Sequence, residues 1–120
     1  MSASNPGTAI VTKIVFPVVD IDAATGFYRS LGFEVESYDG GYAWVSHRGG
    51  EVLHLALTPE LTPADNRAAG YFHVQDAADW HSSWSAAGVD VGELIDQPWE
   101  MREFVITDPS GNRLRIGQNL

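Results

Sequence analysis

The side chains able to do covalent or metal chemistry are few in this chain, and their spacing favours neither. Cysteine is absent from all 120 residues, which removes disulfides, thiolate nucleophiles and Cys-ligated metal centres together. A nucleophile would have to be Ser, Thr or Lys beside a base. Ser46 and His47 are neighbours, but adjacent residues of a strand point to opposite faces, and no triad is visible. Of the four histidines, His47 flanks a Gly-Gly turn and His81 reads as a solvated helix residue. His54 in VLHLAL and His73 in YFHV can face the same side if their strands are regular. Two imidazoles are too few for a closed structural metal site.

What remains suits holding a molecule rather than breaking one. Tyr42 and Trp44 share a face of YAWV, Tyr71 and His73 a face of YFHV, and Arg113 and Arg115 a face of NRLRIG. Trp99 stands in QPWEMREF, followed by Arg102 and Glu103. Aromatic side chains grip large flat ligands by stacking, and cations by attraction to the ring face. Trp44 reads equally as a wall of such a site or as packing under a helix. Arg102 and Glu103 read as ligand contacts or as a structural ion-pair network. Trp80 and Trp84, one helical turn apart, read as core.

These side chains need a scaffold, and the sequence supplies the same one twice. Residues 12–19 are β-branched and apolar, a buried strand. Asp20 or Asp22 can cap the helix that follows, with Phe27 and Leu31 toward the core and Gly32 ending it. FEVESYD, YAWVSH and EVLHLALT read as three strands separated by glycine turns. In the second half YFHVQ is a strand and DAADWHSSWSAAG a helix ended by Gly88. VDVGELI is a short or irregular strand, and REFVITD and NRLRIGQ form a hairpin across DPSG.

The reading is α+β, with two βαβββ modules forming curved mixed sheets. Residues 1–10 read as a flexible arm, 11–58 as the first module, 59–68 as a linker and 69–120 as the second module, within one domain. Each half must bury one sheet face under its helix, and the other faces can curve toward each other around a cleft. Alternation sends Leu53, Leu55 and Leu57 inward and leaves Val52, His54 and Ala56 for the cleft. It also sends Phe16, Val18, Phe72, Leu114 and Ile116 inward, leaving Lys13, Val15, Tyr71, His73, Arg113 and Arg115.

The composition, 44% hydrophobic and 19% charged, is that of a folded globular chain. No apolar run approaches the ~20 residues of a membrane span. The polar N-terminus MSASNPGTA does not read as a secretion signal, so a cytoplasmic location is expected. A net charge of −9, with the seven basic residues scattered, excludes a nucleic-acid binder and suits a cationic small partner.

On VVDIDAATGFYRSLGFE (18–34) and DPSGNRLRI (108–116), the chain resembles the vicinal oxygen chelate superfamily. That superfamily comprises glyoxalases, extradiol dioxygenases, fosfomycin-resistance enzymes and bleomycin-resistance proteins. QPWEMREF (97–104) is similar to the P-W-G-x-R-E-F segment of bleomycin-resistance proteins, which sequester glycopeptide antibiotics without altering them. The linker's ADN (64–66) is similar too, which gives Asp65 and Asn66 a rim role beside their reading as turn formers. Here Glu100 stands where a Gly is usual.

The resemblance places the superfamily's four metal-ligand positions on Lys13, His54, near Ala69 and on Arg115. Only His54 can ligate, and an Arg cannot deprotonate, so the resemblance implies a lost metal site and no cofactor. It implies that Tyr42, Tyr71 and Trp99 contact the ligand, and that the protein is a homodimer whose cleft is closed by one module from each chain. The expected function is sequestration of a bleomycin-like glycopeptide or similar aromatic natural product without chemical modification. The expected ligand-binding residues are Tyr42, Trp44, His54, Tyr71, His73, Trp99, Arg102, Glu103 and Arg115. The alternatives are a metal-dependent lyase or dioxygenase of the same superfamily, and a binder of another small molecule.

Overall fold

A computed structural model describes residues 2–120. The first module runs β1 (Ile14–Val18), α1 (Ile21–Ser30), β2 (Glu34–Ser37), β3 (Tyr42–His47) and β4 (Gly50–Leu57). A short 3-10 turn at Pro63–Asp65 leads to the second, β5 (Ala69–His73), α2 (Ala77–Ala86), β6 (Ile95–Gln97), β7 (Met101–Thr107) and β8 (Arg113–Asn119). The sheets have equivalent orders, β1-β4-β3-β2 and β5-β8-β7-β6. In each, the outer strand pairs in parallel with the last strand of its module and the remaining pairs are antiparallel. The α+β architecture of two repeated modules is thus the one the sequence implies.

The helices start and stop where local chemistry directs. Asp20 caps α1 by accepting from the backbone N–H groups of Asp22 and Ala23, each at 3.0 Å. Asp76 does the same for α2 through Asp79 N–H at 3.1 Å. Such a cap contributes about 1 kcal/mol. Gly32 and Gly88 follow the helices at φ +89 and +85, the left-handed backbone that glycine adopts without a Cβ clash.

Phe16, Val18, Leu53 and Leu55 of the first sheet share one core with Phe104, Ile106, Leu114 and Ile116 of the second. Both sheets therefore turn their helix-bearing faces to a common interior, and each keeps its second face free. Leu31 is buried as expected, while Phe27 is only half-buried and packs edge-on against the fully buried Tyr28. Leu57 is the exception to the inward leucines, because it ends β4 and lies exposed.

The modules are tied by the DPSGN turn. Buried Asp108 accepts from Tyr28 Oη at 2.7 Å, from the backbone of Ser110 and Asn112, and from Asn112 Nδ2. Asn112 Nδ2 also donates to Pro17 O, and Ser110 Oγ accepts from Val19 N–H. Burial, then the charge and the hydrogen bond of Asp108, push the Tyr28 hydroxyl far up. Asn66 belongs to this hub. It is buried and donates to Ser110 O and Asn112 Oδ1, which places it inside rather than at a rim. Regular pairing of β6 is confined to Ile95–Gln97. Just before it Gly92 presses so closely on β7 that a Cβ would stand 2.8 Å from Val105 O.

Candidate functional site

The free face of the first sheet carries a row from β1 to β2: Val15, His54, Trp44 and Glu36 stand side by side by register. Tyr42 lies one step along β3. Its hydroxyl meets His54 Nδ1 at 2.8 Å, and its ring stands edge-on to His54 at 5.4 Å. Trp44 packs edge-on to both, so it belongs to this face and not to the packing under a helix. His54 Nε2 is hydrogen-bonded to Glu51. Both ring nitrogens are thus engaged, Nδ1 with Tyr42 and Nε2 with Glu51, which fixes the orientation of the imidazole.

Glu51 and His54 are three apart on one strand and would face opposite sides of a regular sheet. The register shifts between Val45 and Ser46, so that Val45 pairs with Leu53 and Ser46 with Glu51. This β-bulge leaves Val52 as the extra residue and brings Glu51 round to the side of His54. It also corrects the expectation for Val52, which lines a cavity between the modules with Phe33, Trp80 and Trp84.

The free face of the second sheet is built differently. Tyr71, Arg115 and Val105 form one row, and His73, Gly117, Glu103 and Ile95 the next. Glu103 is only 4% exposed. The Tyr71 hydroxyl donates to it and Arg115 Nη1 reaches it at 3.4 Å. A cavity of about 180 Å³ opens beside this cluster, lined by Glu93, Gln97, Glu103, Val105 and Arg115 among others. Burial acts to raise the Glu103 carboxyl, but the hydrogen bond from Tyr71 and the charge and hydrogen bond of Arg115 outweigh it and hold the group below its ordinary value. Desolvation, then the hydrogen bond and charge of Glu103, push Tyr71 up to about 12 against the opposing charge of Arg115.

Gly117 makes this cluster possible, since a Cβ there would lie 2.0 Å from the Tyr71 hydroxyl. Glycine within a strand often marks such a close approach, so the sequence did carry a signal for it. Tyr71 and His73 are neighbours at 4.7 Å between ring centroids.

Trp99 projects from the tip between β6 and β7 and is 58% exposed. Glu100 beside it has φ +64 and donates its N–H to Gln97 O at 3.1 Å. A three-residue hairpin loop needs a left-handed residue at this point, which accounts for the usual glycine and shows that Glu100 keeps its conformation. Arg102 lies on the other face from Glu103 and forms a two-pronged pair with Asp96, at 2.7 and 3.0 Å. The Arg102 hydrogen bonds hold Asp96 below its ordinary value. His81 is not solvated. Its Nε2 bonds to Gly92 O at 2.9 Å and its ring packs on Phe104, fastening α2 to the run before β6.

The expected residues thus fall into two groups. Tyr42, Trp44 and His54 share the first face, with Glu51 as an unexpected partner. Tyr71, His73, Glu103 and Arg115 share the second, with Trp99 at its edge and Arg102 behind it. Among the described residues no hydrogen bond, ion pair or ring contact joins the two groups. Nor do three or more His, Asp or Glu side chains gather there as a metal site. Of the four positions discussed above, only His54 bears a metal-ligating side chain, and Arg115 is engaged with Glu103.

The model of the Glyoxalase/Bleomycin resistance protein/Dioxygenase superfamily matches residues 10–116. A bleomycin resistance protein of Klebsiella pneumoniae is 26% identical over 113 residues, covering 86% of this chain and 87% of its own. A bleomycin-binding protein solved in complex with bleomycin superposes with a TM-score of 0.84 at 22% identity, covering 93% of this chain and 100% of its own. The bleomycin-binding protein of bleomycin-producing Streptomyces verticillus, solved with copper(II)-bleomycin, superposes at 0.77 and 28% identity, covering 91% and 95%.

Proposed function

The chain belongs to the Glyoxalase/Bleomycin resistance protein/Dioxygenase superfamily, and we propose that within it this protein is a binder that sequesters a bleomycin-like glycopeptide or similar aromatic natural product. The observation that carries this reading is the Tyr71–Glu103–Arg115 cluster. It occupies the free face of the second sheet with a satisfied charge pair and leaves Arg115 at one of the metal-ligand positions. The bleomycin resistance protein and the Streptomyces verticillus bleomycin-binding protein described above support the ligand class.

In this reading the cup is completed between two chains, the Tyr42–Trp44–His54 face of one meeting the Tyr71–Trp99–Arg115 face of its partner in a homodimer. Aromatic rings stack on the flat parts of the ligand and the acidic protein attracts its cationic parts. No bond is made or broken, so protection in the cytoplasm scales with protein concentration and affinity. His54 with Glu51 supplies two donors for the competing reading, a metal-dependent lyase or dioxygenase. Two donors without further partners hold a catalytic ion weakly.

The test is a titration of metal-stripped protein with metal-free bleomycin, followed by tryptophan fluorescence and heat, with mass spectrometry of the recovered drug. Saturation near one ligand per chain with the drug intact is expected. Consumption of the drug, or a strict need for added metal, overturns sequestration. No binding at high micromolar drug removes bleomycin as the guest.

A further inference from the structure

A separate space lies on the helix side, where the two modules meet. A groove of about 400 Å³ runs between the C-terminal end of α1, at Leu31, and the face of α2 that carries Asp79, Trp80, Ser83 and Trp84, with His47 between them. Next to it is a smaller, partly open cavity of about 150 Å³, lined also by Phe33, Val52, His73, Val74 and Ile116. His47, Trp80 and Trp84 line both spaces, so these three rings stand as the partition between groove and cavity, and a ligand that reaches both must pass beside them. Trp80 stands edge-on to His47 at 5.1 Å and to Trp84 at 5.4 Å.

The two spaces differ in what they can hold. A cavity of roughly 150 Å³ is large enough for one benzene ring, and this one is mainly apolar, with the imidazoles of His47 and His73 in its wall. The bulge in β4 helps create it, by turning Val52 away from the free face. The groove falls within the range of small-molecule sites, about 300–1,000 Å³. Among the described residues no Lys or Arg lines either space, and Asp79 is the one carboxylate. The C-terminal end of α1 adds the negative pole of its dipole, and the tryptophan faces attract cations.

We propose that groove and cavity together form a second small-molecule site, specific for a single aromatic ring on a short arm ending in an ammonium group. The ring enters the inner cavity and the ammonium stays in the groove with Asp79. His73, which neighbours Tyr71 of the cup, also lines the inner cavity, but the proposed function does not rest on this site, and its failure leaves that function standing.

The test uses phenethylammonium, its neutral counterpart 2-phenylethanol and the anion 3-phenylpropanoate, titrated into the full chain under two-dimensional NMR. Phenethylammonium shifts the indole N–H signals of Trp80 and Trp84 and the methyls of Val52 and Val74. It binds about five- to tenfold more tightly than the alcohol, and the anion binds weakest. Asp79→Asn erases the preference for the cation. Val52→Phe fills the cavity and weakens all three probes about tenfold or more. Val52→Ile, a one-carbon fill that the fold tolerates more readily, acts in the same direction. Trp99→Ala leaves binding unchanged. Absence of shifts up to about 10 mM probe, shifts confined to Tyr71 and Trp99, or binding unaffected by both Val52 variants would each overturn the assignment.

Discussion

The two modules place a basic residue at the same point of the same scaffold and surround it in opposite ways. His54 on β4 pairs across to Val15 on the parallel strand, and Arg115 on β8 pairs across to Tyr71. Each is joined to a tyrosine–glutamate environment, but the carboxylates differ. Glu51 comes from the strand of His54 itself, through a bulge, and its side chain is 46% exposed. Glu103 comes from the neighbouring strand and is 4% exposed. The bases differ the other way, His54 being 18% and Arg115 47% exposed; an exposed carboxylate is hydrated without its partner, whereas a buried one depends on the hydrogen bonds it accepts. The second face is therefore the rigid wall and the first the adaptable one.

The sharpest way to break that contrast is Glu103→Ala. It removes the buried charged acceptor of the Tyr71 and Arg115 hydrogen bonds, and is expected to lower stability by about 2 kcal/mol in urea denaturation and ligand affinity at least about tenfold. Gly117→Ala comes next. Its Cβ displaces Tyr71 and costs about 1–2 kcal/mol, and the tyrosine that titrates near 12 returns toward the ordinary phenol range in a spectrophotometric titration. Glu100→Gly relieves the left-handed backbone beside Trp99 and is expected to raise stability by about 1 kcal/mol or less. Glu51→Gln has the smallest effect, below about 1 kcal/mol. If Glu51→Gln proved as costly as Glu103→Ala, the rigid-wall and adaptable-wall contrast would be wrong.

The second face also sets a pH window. The folded-state value of Tyr71 is raised, so its contribution is full below the ordinary phenol value of 10.0 and is lost as pH climbs through about 12. That of Glu103 is lowered, so its contribution is full above the ordinary carboxylate value and is lost as pH falls through the depressed one. Wild-type melting curves should therefore steepen in their pH dependence at both ends relative to Glu103→Gln.

The modules, the aspartate caps, the glycine stops and most of the sheet alternation were legible in the sequence, because each rests on local chemistry. Alternation also contained the separation of Arg102 from Glu103, by the same rule that separates Ser46 from His47. The bulge at Val52 has no local signature, so neither the inter-module cavity nor the approach of Glu51 to His54 could be read. The DPSGN turn was legible as a turn and not as a hub, since its partners Tyr28, Pro17 and Asn66 lie 44 or more residues away.

The claim that the two faces complete one cup across two chains has a direct test in subunit mixing. Trp44→Ala and Trp99→Ala each weaken bleomycin binding alone, because every cup then loses one aromatic wall. When the two variants are mixed and allowed to exchange, each mixed dimer regains one intact cup, giving about one tight site per four chains if exchange is random. Calorimetric recovery of that fraction is the predicted result. No recovery after demonstrated exchange would contradict it and place the whole cup within a single chain.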